Sequence, residues 1–147
     1  MEKKEKALKY FRDHFNCSQS VFTVFGTEYG LTENQCLKAS CAFGGGMGRQ
    51  QNVCGAVTGA MMALGIKYGK AMGDTEEKKK ETYNYTKELF AEFIKLNGTV
   101  NCRELLKGYN MNDPDDHKKI VSLKLFDTYC EKYVVDAVEI TEKIINK

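Results

Sequence analysis

The run Phe43-Gly-Gly-Gly-Met-Gly48, followed at Asn52 by Val53-Cys-Gly-Ala-Val-Thr-Gly-Ala-Met-Met-Ala-Leu-Gly-Ile-Lys-Tyr68, is the stretch whose reading decides the fold. Successive glycines carry the most backbone entropy and offer no side chains to pack, so residues 44–48 form a loop. Asn52 then caps a helix predicted over about Val53 to Tyr68. Along it Gly55, Gly59 and Ala63 recur every four residues on one ridge, a surface that lets another backbone approach closely. A helix so rich in small residues is expected at the centre of a bundle, with Cys54 at its start.

Outward from this helix the pattern stays helical. Leu8, Phe11 and Phe15 share a stripe on a first helix of about Glu2 to Phe15, and Asn16 caps a second from Cys17 to about Tyr29 that ends at Gly30. Thr32-Glu-Asn-Gln35 is a capping-box pattern opening a third helix, which carries Cys36 and Cys41. After a linker at 69–75, an amphipathic helix of about Glu76 to Leu96 is expected to bury Tyr83, Thr86, Leu89, Phe90 and Phe93, with Gly98 stopping it. Asn101 and Glu104 open a short helix with Cys102, Leu105 and Leu106; a turn at 110–116 holds Pro114. One long final helix follows, its stripe running through Leu123, Phe126, Cys130, Tyr133, Val134, Ala137 and Ile144. β-branched residues nowhere alternate cleanly, so the expectation is an all-α, single-domain bundle over residues 1–147 with five to seven helices.

The composition removes several function classes. At 147 residues a single core suffices without disulfides, and six cysteines are too few for a small disulfide scaffold. With 42% hydrophobic and 29% charged residues the chain reads as globular rather than disordered. A net charge of +2, with both signs dispersed, gives no basic field for nucleic acid. The most apolar run, 53 to 66, has 14 residues, short of the roughly 20 needed to span a bilayer, so no membrane insertion is expected. The charged start, Met1-Glu-Lys-Lys-Glu-Lys, lacks the apolar region of a secretory signal. A cytoplasmic location is the expectation, and there clustered cysteines serve metal binding or redox chemistry more often than structural bridges.

Three cysteines share a setting. Asn16-Cys17, Asn52-Val53-Cys54 and Asn101-Cys102 each place a thiol in the first turn of a capped helix, where free N–H groups and the helix dipole favour the thiolate. Lowered thiol pKa values are expected for them. Cys130 falls mid-helix on the buried stripe and lacks that help. Cys36 and Cys41 stand five apart, about 140° round a helix, and read as packing residues. Burial as small hydrophobes is the plain alternative for the whole set. The absence of Cys-x-x-Cys removes the zinc-ribbon and thioredoxin signatures. Cys36-x4-Cys41 starts a plant-type ferredoxin spacing, but position 44 is Gly where the third cysteine belongs. The glycine loop before Arg49 matches neither a P-loop nor a Rossmann turn; it is either an anion-binding nest or a packing device. His14 and His117 read as surface residues without metal-ligand spacing.

Taken together, Asn16-Cys-Ser-Gln-Ser20, Phe43-Gly-Gly-Gly-Met-Gly48, Val53-Cys-Gly-Ala-Val-Thr-Gly-Ala60, Cys102 and Cys130 resemble the C_GCAxxG_C_C family of redox-active proteins over nearly the whole chain. The resemblance implies a small redox protein whose four working cysteines match Cys17, Cys54, Cys102 and Cys130. Gly44, Gly45, Gly46, Gly48, Gly55 and Gly59 become candidate cofactor-contacting positions. Three readings stand open. The four thiolates hold an iron–sulfur cluster, 2Fe–2S in type, as metal ligands, and the chain passes single electrons to and from a redox partner protein. Or the same cysteines form two dithiol pairs that cycle through disulfides. Or the bundle is an interaction module with inert thiols. The first two require the four to converge in space.

Overall fold

The ridge of small residues sets the architecture, because it fixes how closely a second helix can lie. In the computed structural model, which describes all residues 1–147, the chain forms eight helices and no strand: α1 Lys3–Arg12, α2 Cys17–Gly26, α3 Glu33–Ser40, α4 Gly55–Tyr68, α5 Glu76–Asn97, α6 Cys102–Leu105, α7 Pro114–Ser122 and α8 Cys130–Ile145. Helix α4 is the axis of an all-α bundle, with α2, α5 and α8 around it; α1 closes over α2 and α8, and α3 over α2. Residues Val57, Ala60, Ala63 and Leu64 of α4 are wholly buried against Val21 and Phe25, Leu89 and Phe93, and Val134, Ala137 and Val138. The tightest approach is that of α2: a Cβ on Gly59 would meet the Ser18 carbonyl oxygen at 2.7 Å and the Val21 Cβ at 3.2 Å.

Local signals explain most boundaries. Asn16 and Gln19 form a reciprocal capping box at α2, and Thr32 and Gln35 another at α3. Gly30 and Gly98 take the left-handed conformation with φ of 94° and 86°. Helix α1 ends at Arg12 rather than Phe15 because His14 turns left-handed (φ 72°), which brings the chain round for Asn16 to cap α2. Helix α2 gives way at Gly26 to a 3-10 turn, Thr27–Tyr29. In α5, Leu89 and Phe93 are buried as expected, whereas Tyr83 is exposed and Tyr85 turns inward instead, its ring 4.3 Å from that of Tyr68.

Two departures matter for the site. Helix α4 starts at Gly55, two residues late, because Val53 pairs with Asn101 in an isolated antiparallel bridge, with hydrogen bonds from the Cys54 amide to the Val100 carbonyl and from the Cys102 amide to the Asn52 carbonyl. The expected long final helix is two helices. Lys124 adopts φ 56°, and a π-helical turn over Leu125–Tyr129 leads into α8, leaving Leu123 exposed rather than on the core stripe.

Candidate functional site

Four chain segments far apart in sequence end at one cavity of about 450 Å³, and each brings a cysteine: Cys17, Cys54, Cys102 and Cys130 all line it. Three of them sit at helix starts. Cys17 and Cys102 follow the Asn16 and Asn101 caps directly. Cys54 is itself the N-cap of α4, and its carbonyl accepts from the Val57 amide. Cys130 lies, as expected, inside a helical run: the π turn Leu125–Tyr129 leads directly into it, and its amide donates to the Leu125 carbonyl. Cys54, Cys102 and Cys130 are buried and Cys17 half-buried. The Val53–Asn101 bridge binds the Cys54 and Cys102 segments edge to edge.

The glycines make this convergence possible. A Cβ at Gly44 would fall inside the Asn16 side chain, which caps α2 and also donates from Nδ2 to the Cys41 carbonyl at 2.9 Å. At Gly46 it would stand 2.6 Å from the Cys102 Cβ, and at Gly55 3.2 Å from the Cys17 Cβ. From Gly45 to Arg49 the chain stays left-handed (φ 64° to 72°), so the loop is a tight reversed turn. Gly44, Gly45, Gly46, Gly48 and Gly55 line the cavity. Gly59 does not; its place is the α2–α4 contact.

Other side chains enclose the space. Tyr133 donates its hydroxyl to the Leu105 carbonyl at 3.0 Å. Gln51, also left-handed (φ 55°), donates to the Tyr109 carbonyl at 2.9 Å and accepts from the Met111 amide at 2.8 Å, which ties the glycine loop to the far wall. Sequence reading passed Gln51 over; its polar side chain in a loop gave no sign that it would be buried. Cys41, expected to pack, is exposed and lines the cavity. Cys36 is fully buried and packs beside Gly26. His14 is exposed, and the His117 ring centroid lies 5.9 Å from that of Phe126.

Burial reverses the expected acidity. The Cys17 thiol is held well above its ordinary pKa, first by its hydrogen bond with the Cys130 thiol and then by burial. Burial, followed by the neighbouring Cys17, pushes Cys54 up to about 12 despite the two α4 amides. Burial, then Cys54 and Cys17, pushes Cys102 up to about 12, opposed by the charge of Arg49. Desolvation and mutual repulsion outweigh the helix termini, so these three thiols carry protons near neutral pH. No three Cys, His, Asp or Glu side chains are gathered tightly enough to close round one ion.

A family model described as "Putative redox-active protein (C_GCAxxG_C_C)" matches residues 15–144. The chain belongs to the C_GCAxxG_C_C family. Its matched span contains Cys17, Cys54, Cys102 and Cys130, the glycine loop and the Cys54-Gly-Ala-Val-Thr-Gly59 motif. A protein of Archaeoglobus fulgidus, described as uncharacterized, is similar to it at 26% identity over 152 residues, covering 96% of this chain and 94% of the relative. No solved structure matches the chain. A redox-active family and a cavity ringed by thiols fit one another, and no helix is long and apolar enough to cross a membrane.

Proposed function

We propose that this C_GCAxxG_C_C protein is a one-electron carrier in which Cys17, Cys54, Cys102 and Cys130 hold a 2Fe–2S cluster inside the cavity. The observation that carries the reading is the meeting of four thiols from four separate chain segments on one cavity. The donor set is all sulfur, as such clusters require. In a binuclear centre each iron takes two cysteines. Once bound, the cluster supplies a centre that gains and loses single electrons. The protein's part is to enclose and orient it: the α4 amides of Ala56 and Val57 favour the Cys54 thiolate, and polar groups beside a ligand sulfur shift a cluster's potential. Metal must displace the protons held on Cys17, Cys54 and Cys102, so affinity rises with pH. A redox partner protein delivers and accepts the electron.

The contact between the Cys17 and Cys130 thiols supports a second reading, in which these two alone close a disulfide, releasing two electrons and two protons to a partner disulfide. Anaerobic purification, reconstitution with iron and sulfide, and an absorption spectrum separate the two. Equal iron and sulfide with visible charge-transfer bands are expected; a colourless protein whose peptide map shows a reversible Cys17–Cys130 link would replace the cluster with the dithiol pair.

A further inference from the structure

The cavity is larger and more lopsided than four thiols need. Four inorganic atoms displace on the order of four waters, at roughly 30 Å³ each, and the cavity measures about 450 Å³. Beyond the sulfurs its wall is apolar, with Leu105, Leu106, Met111 and Phe126 among the lining residues, and only one charged side chain, Arg49, reaches it. Arg49 has no carboxylate partner. Two neutral acceptors hold it at the exposed rim: its Nε–H donates to Asn112 Oδ1 at 3.4 Å and its Nη2 to the Met111 carbonyl at 3.2 Å, while Asn112 Nδ2 donates back to the Arg49 carbonyl at 2.8 Å. Of five guanidinium N–H groups, three stay free. The left-handed backbone at Arg49 (φ 64°) and the missing Cβ at Gly45, which would stand 3.0 Å from the Arg49 Cγ, let the side chain lie along this rim.

An uncompensated cation at the mouth of an apolar cavity of this size is the pattern of a site for a small ligand with an apolar body and one anionic end. We infer that the cavity binds a small carboxylic acid, its carboxylate on Arg49 and its hydrocarbon body against Leu106, Met111 and Phe126, above the thiols. The inference rests on the reading of this cavity as the redox centre for the ligand's purpose, although binding is measurable without it.

The test is a titration of the reduced, metal-free protein at neutral pH with hexanoate and with 1-hexanol, read by calorimetry and by NMR shifts of the Met111 methyl group, and repeated on iron-loaded protein. Hexanoate is expected to bind roughly tenfold or more tightly than the alcohol, the worth of a charge-assisted contact. Arg49→Gln should abolish the preference without changing alcohol binding, and Arg49→Lys should keep part of it. Equal affinities, a preference that survives Arg49→Gln, shifts that bypass Met111, or no binding of either probe below about 10 mM, the weak limit for a specific small ligand, would each overturn the inference. Hexanoate binding in a protein that takes up no iron would sink the cluster alone; iron uptake without hexanoate binding would sink the ligand site alone.

Discussion

Alanine placed at Gly59 and, separately, at Gly65 tests the packing that carries the site, because the two glycines share α4 and differ in what a Cβ would meet. Either change removes backbone freedom from the unfolded chain and raises helix propensity, a gain of about 0.5–1 kcal/mol. At Gly65 nothing lies within 4 Å of the new atom, so the full gain is expected. At Gly59 the Cβ would stand 2.7 Å from the Ser18 carbonyl oxygen and 3.1 Å from the Ser18 Cα, both backbone atoms that cannot swing aside. Relief requires α2 to move off α4, at an overpacking cost of about 1–3 kcal/mol. The net result is a loss of about 0.5–2 kcal/mol for Gly59→Ala. The two variants should therefore differ by about 1–3 kcal/mol in opposite directions from the parent, roughly 2–12 °C in midpoint for a domain near this size. Urea denaturation of the reduced protein followed by far-UV circular dichroism measures it, with an unchanged m-value as the sign that the reference states are intact. If Gly59→Ala stabilises as much as Gly65→Ala, the close approach of α2 to α4, and with it the placing of Cys17 beside Gly55, is wrong.

Between about pH 9 and 12 the reduced, metal-free protein should lose stability as pH rises: Cys54 and Cys102, held near 12 against an ordinary 9.0, keep protons that the unfolded chain gives up, a slope of up to about 1.4 kcal/mol per pH unit for each thiol. Their stabilisation is fully present below pH 9, and a denaturation series that stays flat across the window would count against their burial. Asn16→Ala should cost about 1–2 kcal/mol through the lost α2 cap and the freed Cys41 carbonyl, while Asn16→Asp keeps the cap and forfeits only the donor; equal losses in denaturation would contradict that division. Under iodoacetamide at neutral pH the exposed Cys41 should be alkylated first and Cys17, Cys54 and Cys102 slowly, read by peptide mass; first labelling at Cys54 would mean an open cavity.

The all-α class and most helix termini were legible because they rest on local chemistry: Asn16 and Thr32 open their helices and Gly30 and Gly98 close theirs, each within a few residues of its partners. What depends on distant partners was not. The Val53–Asn101 bridge that delays α4 joins segments with no pairing signal of their own, and the break at Lys124 hides in an unbroken apolar stripe. Cys130 stays inside the helical run that begins beyond that break. The acidity of the thiols was misjudged for a related reason: helix-terminus donors are visible in sequence, whereas burial and the meeting of Cys17 with Cys130 arise only on folding. Cys41 went the other way, its spacing suggesting a packing role that the 3-10 turn Cys41–Phe43 exposes to solvent.

Native mass spectrometry of anaerobically purified protein, across all six single Cys→Ser variants, tests most directly whether Cys17, Cys54, Cys102 and Cys130 act as one centre. The parent, Cys36→Ser and Cys41→Ser should carry the mass of two irons and two sulfides per chain. Each of the other four variants should lose or loosen that mass. Retention of the full mass in any of those four, or its loss in Cys41→Ser alone, would contradict the account.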